Sequence, residues 1–131
     1  MSIIPHFELT SELLDARTHV IHVKGEIHVS TAQEFAQRLD DAISQDATAI
    51  VLDLTEVEFI DSTGLSVLLN GLRRLTRRKG NLVLVCTNPT VLRLFEITRL
   101  DSTFDIVGTR EEALAHVTSA DGASDSGSDA A

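Results

Sequence analysis

A chain of 131 residues with 43% hydrophobic side chains is the size of one domain and carries enough apolar surface for one core. It has no Trp or Tyr and only five Phe, so the core is aliphatic and there is no aromatic platform on which single-stranded bases could stack. A formal net charge of −9 repels phosphate backbones and anionic lipid, which argues against a general nucleic-acid or membrane-surface binder.

In chain order, His6 to Leu13 reads as an opening strand. His19-Val20-Ile21-His22-Val23 reads as a second strand, ended by a break at Lys24-Gly25. A turn through Asp15-Ala16-Arg17 makes the two an antiparallel hairpin. Ser30 and Thr31 precede a helix, each with Gln33 or Glu34 three residues on, two overlapping capping-box options. Phe35, Leu39, Ala42 and Ile43 follow at helical spacing. Ala49-Ile50-Val51-Leu52-Asp53-Leu54 is almost continuously apolar, as in a strand covered on both faces, and Val57, Phe59 and Ile60 extend it towards Asp61.

The period then changes. Leu65, Leu68, Leu69, Leu72 and Leu75 form an amphipathic helix stripe, ended by Gly80. Leu82 to Cys86 is the next buried strand, and its cysteine reads as a small core residue, not a reactive thiol. Asn88-Pro89 is an N-cap followed by proline at the first helical position, and Val91, Leu92, Leu94, Phe95 and Ile97 give that helix an apolar side. Phe104 to Val107 is a last short strand. Thr109 and Glu112 cap a final helix bearing Ala113, Leu114 and Val117.

Strands and helices alternating at this spacing imply right-handed crossovers. The expected fold class is α/β: a mixed, mostly parallel sheet of about five strands with about four helices, mainly on one side. From Ala120 the chain contains only Ala, Asp, Gly and Ser, so its burial cannot offset ordering entropy. The expected division is a domain over 1–118 and a disordered acidic tail over 119–131. No leader pattern opens the chain and no apolar run nears the ~20 residues that cross a bilayer, so the cytoplasm is the expected compartment.

The most informative stretch is Phe59-Ile60-Asp61-Ser62-Thr63-Gly64-Leu65, where a buried strand gives way to the best amphipathic helix. In open α/β sheets, sites gather beyond the carboxyl ends of the strands. Asp61 or Ser62 is the natural N-cap, and Gly64 keeps the first turn uncluttered. A phosphate on Ser62 would face free N–H groups and the positive end of the helix dipole, while Asp61 would repel it. Such a modification changes surface charge without unfolding the helix.

This stretch resembles the STAS domain family, of the bacterial anti-sigma factor antagonist type. The similarity also runs through Gly25-Glu26-Ile27 with Thr31-Ala32, Val51-Leu52-Asp53-Leu54, Gly80-Asn81-Leu82-Val83-Leu84-Val85 and Val91 to Leu100, and so covers roughly residues 7 to 118. The resemblance implies a protein that, unphosphorylated, binds an anti-sigma factor which is also a serine kinase of the GHKL type. Phosphorylation of Ser62 then releases it, and a phosphatase resets the switch. The ATP site would belong to the kinase, so the resemblance implies no cofactor; the charge and residue spacing of the chain itself argue against a metal site and against direct contact with nucleic acid or membrane, and no enzymatic activity is expected. The partner surface is expected to use Asp61, Ser62, Thr63 and Gly64, with His28 and Asp53 on the same face. His28 stands where family members often carry Asp.

Two other readings compete. STAS-like domains also serve as scaffolds or transporter-complex subunits that are never phosphorylated. A small serine hydrolase would need Ser62 with Asp101 or Asp105 and His116, but Ile60 replaces the first glycine of a nucleophile elbow. Arg73, Arg74, Arg77, Arg78 and Lys79 crowd the second half of the Ser62 helix, where a solvated face suited to the helix dipole explains them first and a contact for an acidic partner second. His19 and His22, three apart in a strand, point to opposite faces and hold no metal.

Overall fold

The structure, a computed structural model, describes residues 7–117; His6 and the 119–131 tail of the sequence reading lie outside them. Strands β1 (Glu8–Leu13) and β2 (Thr18–Ile27) form the expected antiparallel hairpin. Its turn is closed by Leu14 N–H donating to the Thr18 carbonyl at 3.0 Å. Asp15 Oδ1 accepts from Arg17 N–H and Thr18 N–H, both at 2.8 Å. The Arg17 bond first, then those to Thr18, hold the Asp15 carboxyl below the usual carboxylate range.

Lys24-Gly25 does not break the second strand. β2 runs on to Ile27, and β3 (Ala49–Ile60) pairs alongside it with register shifts between His22 and Lys24 and between Gly25 and Glu26. Gly25 takes φ 103°, a conformation glycine adopts without a Cβ penalty.

The remaining elements are α1 (Ala32–Ser44), α2 (Ser62–Arg77), β4 (Asn81–Val85), α3 (Pro89–Ile97), a 3-10 turn (Leu100–Ser102), β5 (Asp105–Val107) and α4 over 110–117. The sheet order is β1-β2-β3-β4-β5, with β2 to β5 parallel. Each crossover advances one strand in the same direction, so right-handed connections put α1, α2 and α3 on one face. Phe35, Leu39, Leu68, Leu75 and Phe95 from these helices pack there with Ile21, Ile50, Leu52 and Leu84. The other face is left to α4, whose Ala113 and Val117 pack with Val20, Val51, Val83 and Val85. That double cover is why Ala49 to Leu54 reads as a continuous apolar run.

Several helix ends differ from the sequence reading. Thr31 precedes α1 but makes no side-chain cap; its hydroxyl instead donates to the Glu26 carbonyl at 2.7 Å and accepts from His28 N–H at 3.0 Å. Helix α2 ends in a Schellman turn whose left-handed residue is Lys79 (φ 60°), not Gly80. Gly80 N–H donates to the Leu75 carbonyl at 2.7 Å. Gly80 is required by space, since a Cβ there would lie 2.6 Å from the Thr48 carbonyl oxygen. Ile97, read as part of an apolar side, is 67% exposed; Val91 and Phe95 are the buried residues of α3, with Leu92 and Leu94 packed against the core at its edge.

His19 and His22 do face opposite ways. His22 Nε2 lies 2.9 Å from Glu56 Oε2, whereas His19 is 3% exposed and its Nε2 has no hydrogen-bond partner. Burial pushes the His19 pKa down, against a smaller opposing pull from Asp15. The folded state therefore disfavours the protonated form of His19, while the unfolded chain protonates it near its ordinary value. Stability is full above about pH 6.5 and falls as pH drops through that value, by at most about 1.4 kcal/mol per pH unit from this one group. Urea unfolding at stepwise pH should show this slope in the wild type and a reduced one in His19→Leu. Equal slopes would remove His19 as the cause. Cys86 is buried, and burial raises its thiol pKa, as expected of a core cysteine.

Candidate functional site

The site is built where β2 and β3 end side by side, with Ile27 opposite Ile60. Asp61 N–H donates to the Ile27 carbonyl at 3.0 Å, which ties the first residue after β3 to the end of β2. The Asp61 carboxylate then caps α2, accepting from Gly64 N–H at 3.1 Å. Of the two N-cap options in the sequence, Asp61 takes the role, so Ser62 becomes the first helical residue.

Ser62 and Thr63 are exposed, while Gly64 and Leu65 are buried beneath them. Ser62 and Thr63 belong to the first turn, whose N–H groups have no intrahelical acceptor. Gly64 is fixed by packing: a Cβ there would lie 2.7 Å from both Ile27 Cγ2 and Ile60 Cγ1. The glycine thus lets α2 start flush against the sheet and present Ser62 at the rim.

One side of Ser62 opens on a cleft of about 290 Å³ between α2 and α3, lined by Phe59, Leu65, Val91 and Leu94 with Thr90 and Thr98. Phe59 is 43% exposed there, and Val29 and Ile97 are exposed apolar residues. A serine hydroxyl beside an apolar cleft at a helix N-terminus is suited to protein contact that a phosphate would disrupt, because desolvating a dianion against apolar surface is unfavourable.

A family model for the STAS domain matches residues 14–113. The chain belongs to the STAS domain family. This STAS domain is 36% identical over 92 residues to the anti-sigma-B factor antagonist of Listeria monocytogenes, covering 70% of this chain and 81% of that protein. It superposes with a TM-score of 0.79 and 31% identity on the crystal structure of an anti-sigma factor antagonist from Mycobacterium paratuberculosis, over 86% of this chain and 95% of that one. It also matches the structure of the Bacillus cell fate determinant SpoIIAA in its phosphorylated form, with a TM-score of 0.67 and 26% identity, over 84% of this chain and 99% of that one.

Within the STAS domain, His28 follows the last residue of β2 and so shares the Ser62 end of the sheet. Its Nδ1 accepts from Ser30 N–H at 3.1 Å, and its Nε2 is 3.7 Å from Glu26 Oε1. Accepting the N–H two residues on is what an Asp carboxylate does in an Asx-turn, so His28 does an aspartate's structural work in this loop. His28→Asp should therefore leave stability within about 0.5 kcal/mol of wild type, whereas His28→Ala should lose about 0.5–1 kcal/mol with this bond. Urea denaturation of the two variants checks this; equal losses would mean the imidazole itself is required.

Asp53 is not brought to this end. It lies seven residues before Ile60, paired with His22 and Val85 in the neighbouring strands, and is 9% exposed. Its Oδ1 accepts from Thr55 N–H at 3.1 Å and from the Thr55 hydroxyl at 2.7 Å, which secures β3 beside the register shift. The hydrolase constellation does not assemble either. His116 Nε2 lies 3.3 Å from Asp105 Oδ2, but this pair borders a cleft beside β5, and Ser62 makes no hydrogen bond to it.

Sequence reasoning missed the α3 wall of the Ser62 cleft and the holding role of Thr31. Thr90 in the first turn of α3 and Thr98 at its C-cap carried a helical-spacing signal, but nothing in the sequence said which face of α3 would meet α2. Among the described residues no group of three or more His, Cys, Asp or Glu could hold a metal ion, and no helix is long and apolar enough to cross a membrane.

Proposed function

We propose that this STAS domain is an anti-sigma factor antagonist that binds an anti-sigma factor through the Ser62 end of the sheet and is released by phosphorylation of Ser62. The observation that carries the reading is the placement of Ser62: an exposed hydroxyl at the first position of α2, on the rim of an apolar cleft, with Asp61 committed to capping. The names of its relatives support the role, and the phosphorylated form of SpoIIAA supports a modification within a similar fold.

In this mechanism the unmodified surface docks on the anti-sigma factor and frees the sigma factor. The anti-sigma factor, acting as a GHKL-type serine kinase, transfers the γ-phosphoryl group of ATP to Ser62 Oγ. The hydroxyl proton leaves, the bond from the γ-phosphorus to the bridging oxygen breaks, and ADP departs. ATP is held by the kinase, so the antagonist contributes only the acceptor and its position. The first-turn N–H groups tolerate the new dianion, while the partner's apolar contact with the cleft is lost. A phosphatase restores the hydroxyl. The test is incubation of the chain with its partner anti-sigma factor and ATP, followed by peptide mapping by mass spectrometry. One phosphate on the Ser62 peptide, absent in Ser62→Ala, is the expected result. Stable binding with no phosphate transfer would leave a binding domain without this switch.

A further inference from the structure

Five of the eleven Lys and Arg residues fall between Arg73 and Lys79, in a chain whose net charge is −9. The structure divides them into two groups. Arg74 bonds the Asp40 carboxylate of α1. Arg78 donates to the Ile43 carbonyl at the end of α1 and lies 3.5 Å from Asp46. These two fasten the ends of α1 and α2 together, and folding accounts for them.

Arg73, Arg77 and Lys79 are exposed, and their side chains have no ion-pair or hydrogen-bond partner among the described residues. The helix dipole favours cations at this end, but no ion pair or side-chain hydrogen bond among the described residues uses this set. Arg73 and Arg77 are four apart on one helix, where like charges cost about 0.2–0.5 kcal/mol. Arg77 also lines a cavity of about 300 Å³ with Arg74, Arg78, Ile43 and Ser44. Guanidinium groups held around a concavity are pre-organised to take carboxylates two oxygens at a time.

We propose that this end of α2 is a second interaction surface, which takes an acidic segment of a protein partner, with Arg77 as the free cation in the cavity and Arg73 and Lys79 beside it. Carboxylates are favoured over nucleic acid because the chain offers no Trp or Tyr on which bases could stack. A cluster of free cations on a chain of net negative charge also fixes how an acidic partner must approach. Helix α2 has 16 residues, so Arg77 lies about 22 Å along the axis from Ser62, well beyond the screening length of about 8 Å at physiological salt. The two surfaces therefore act independently, and the inference stands whether or not Ser62 is phosphorylated.

The test is titration of the full ¹⁵N-labelled chain with a hexaglutamate peptide at low ionic strength, read from amide shifts. Saturable shifts at residues 43–46 and 73–80, with affinity falling roughly fivefold or more in Arg73→Gln/Arg77→Gln and unchanged in Ser62→Asp, are expected. Both substituted arginines are exposed, and an unchanged melting temperature shows that the double variant folds. Absent or scattered shifts, or equal affinity in the double variant, would overturn the proposal. So would tighter binding of a single-stranded oligonucleotide at the same residues.

Discussion

Gly64→Val is expected to lower the stability of the domain by about 2–3 kcal/mol, and Gly64→Ala by a smaller part of that, as overpacking of a filled site does. The space for a Cβ is already occupied by Ile27 Cγ2 and Ile60 Cγ1, each at 2.7 Å. Both belong to buried β-branched side chains in the sheet, whose restricted χ1 angles leave these carbons little room to swing away. The N-terminus of α2 must then lift from the sheet, straining the Asp61 bond to the Ile27 carbonyl and displacing Ser62. Gly71 provides the internal comparison. A Cβ there would come within 2.5 Å of Leu39 Cδ2, a terminal methyl that can rotate aside. Gly71→Ala should therefore cost less than Gly64→Val. Urea unfolding of the variants, with partner affinity measured on folded protein, decides it. If Gly64→Val unfolds at the wild-type midpoint, the glycine is not what seats the helix.

Ser62→Asp should move stability and binding in opposite directions. In the isolated domain a carboxylate in the first turn of α2 meets unpaired N–H groups and the positive end of the helix dipole, which favours it by about 0.3–1 kcal/mol. At the partner surface the same charge must be desolvated beside Phe59, Leu65 and Leu94, so affinity for the anti-sigma factor should fall by roughly tenfold or more. Ser62→Ala should keep wild-type affinity and resist release by ATP. Thermal melts and binding titrations on the same samples separate the effects. Tight binding by all three proteins would mean that Ser62 only begins a helix.

The sequence by itself determined the elements and their order. Its apolar periods of two and 3.6 are direct consequences of backbone geometry, and Asp61, Asn88 and Pro89 mark helix starts through local bonds that need no distant partner. It also placed Ser62 at a strand-to-helix turn, because the change of period falls there. What failed was local reasoning where a distant group had the stronger claim on an atom. Thr31 looked like a cap, but its hydroxyl is taken by the Glu26 carbonyl at the end of β2. Lys24-Gly25 looked like a break, but pairing with β3 carries the strand through it. Gly80 looked like the left-handed terminator, but the approach of Thr48 explains it and Lys79 takes the turn. Asp53 looked like a site residue, but it pairs with His22 and Val85 seven residues before the end of β3, and its carboxylate is taken by Thr55. Tertiary structure alone decided the cleft between α2 and α3 and the division of the arginines into fasteners and free cations. Both depend on which faces of separate helices meet, and no spacing within one segment encodes that.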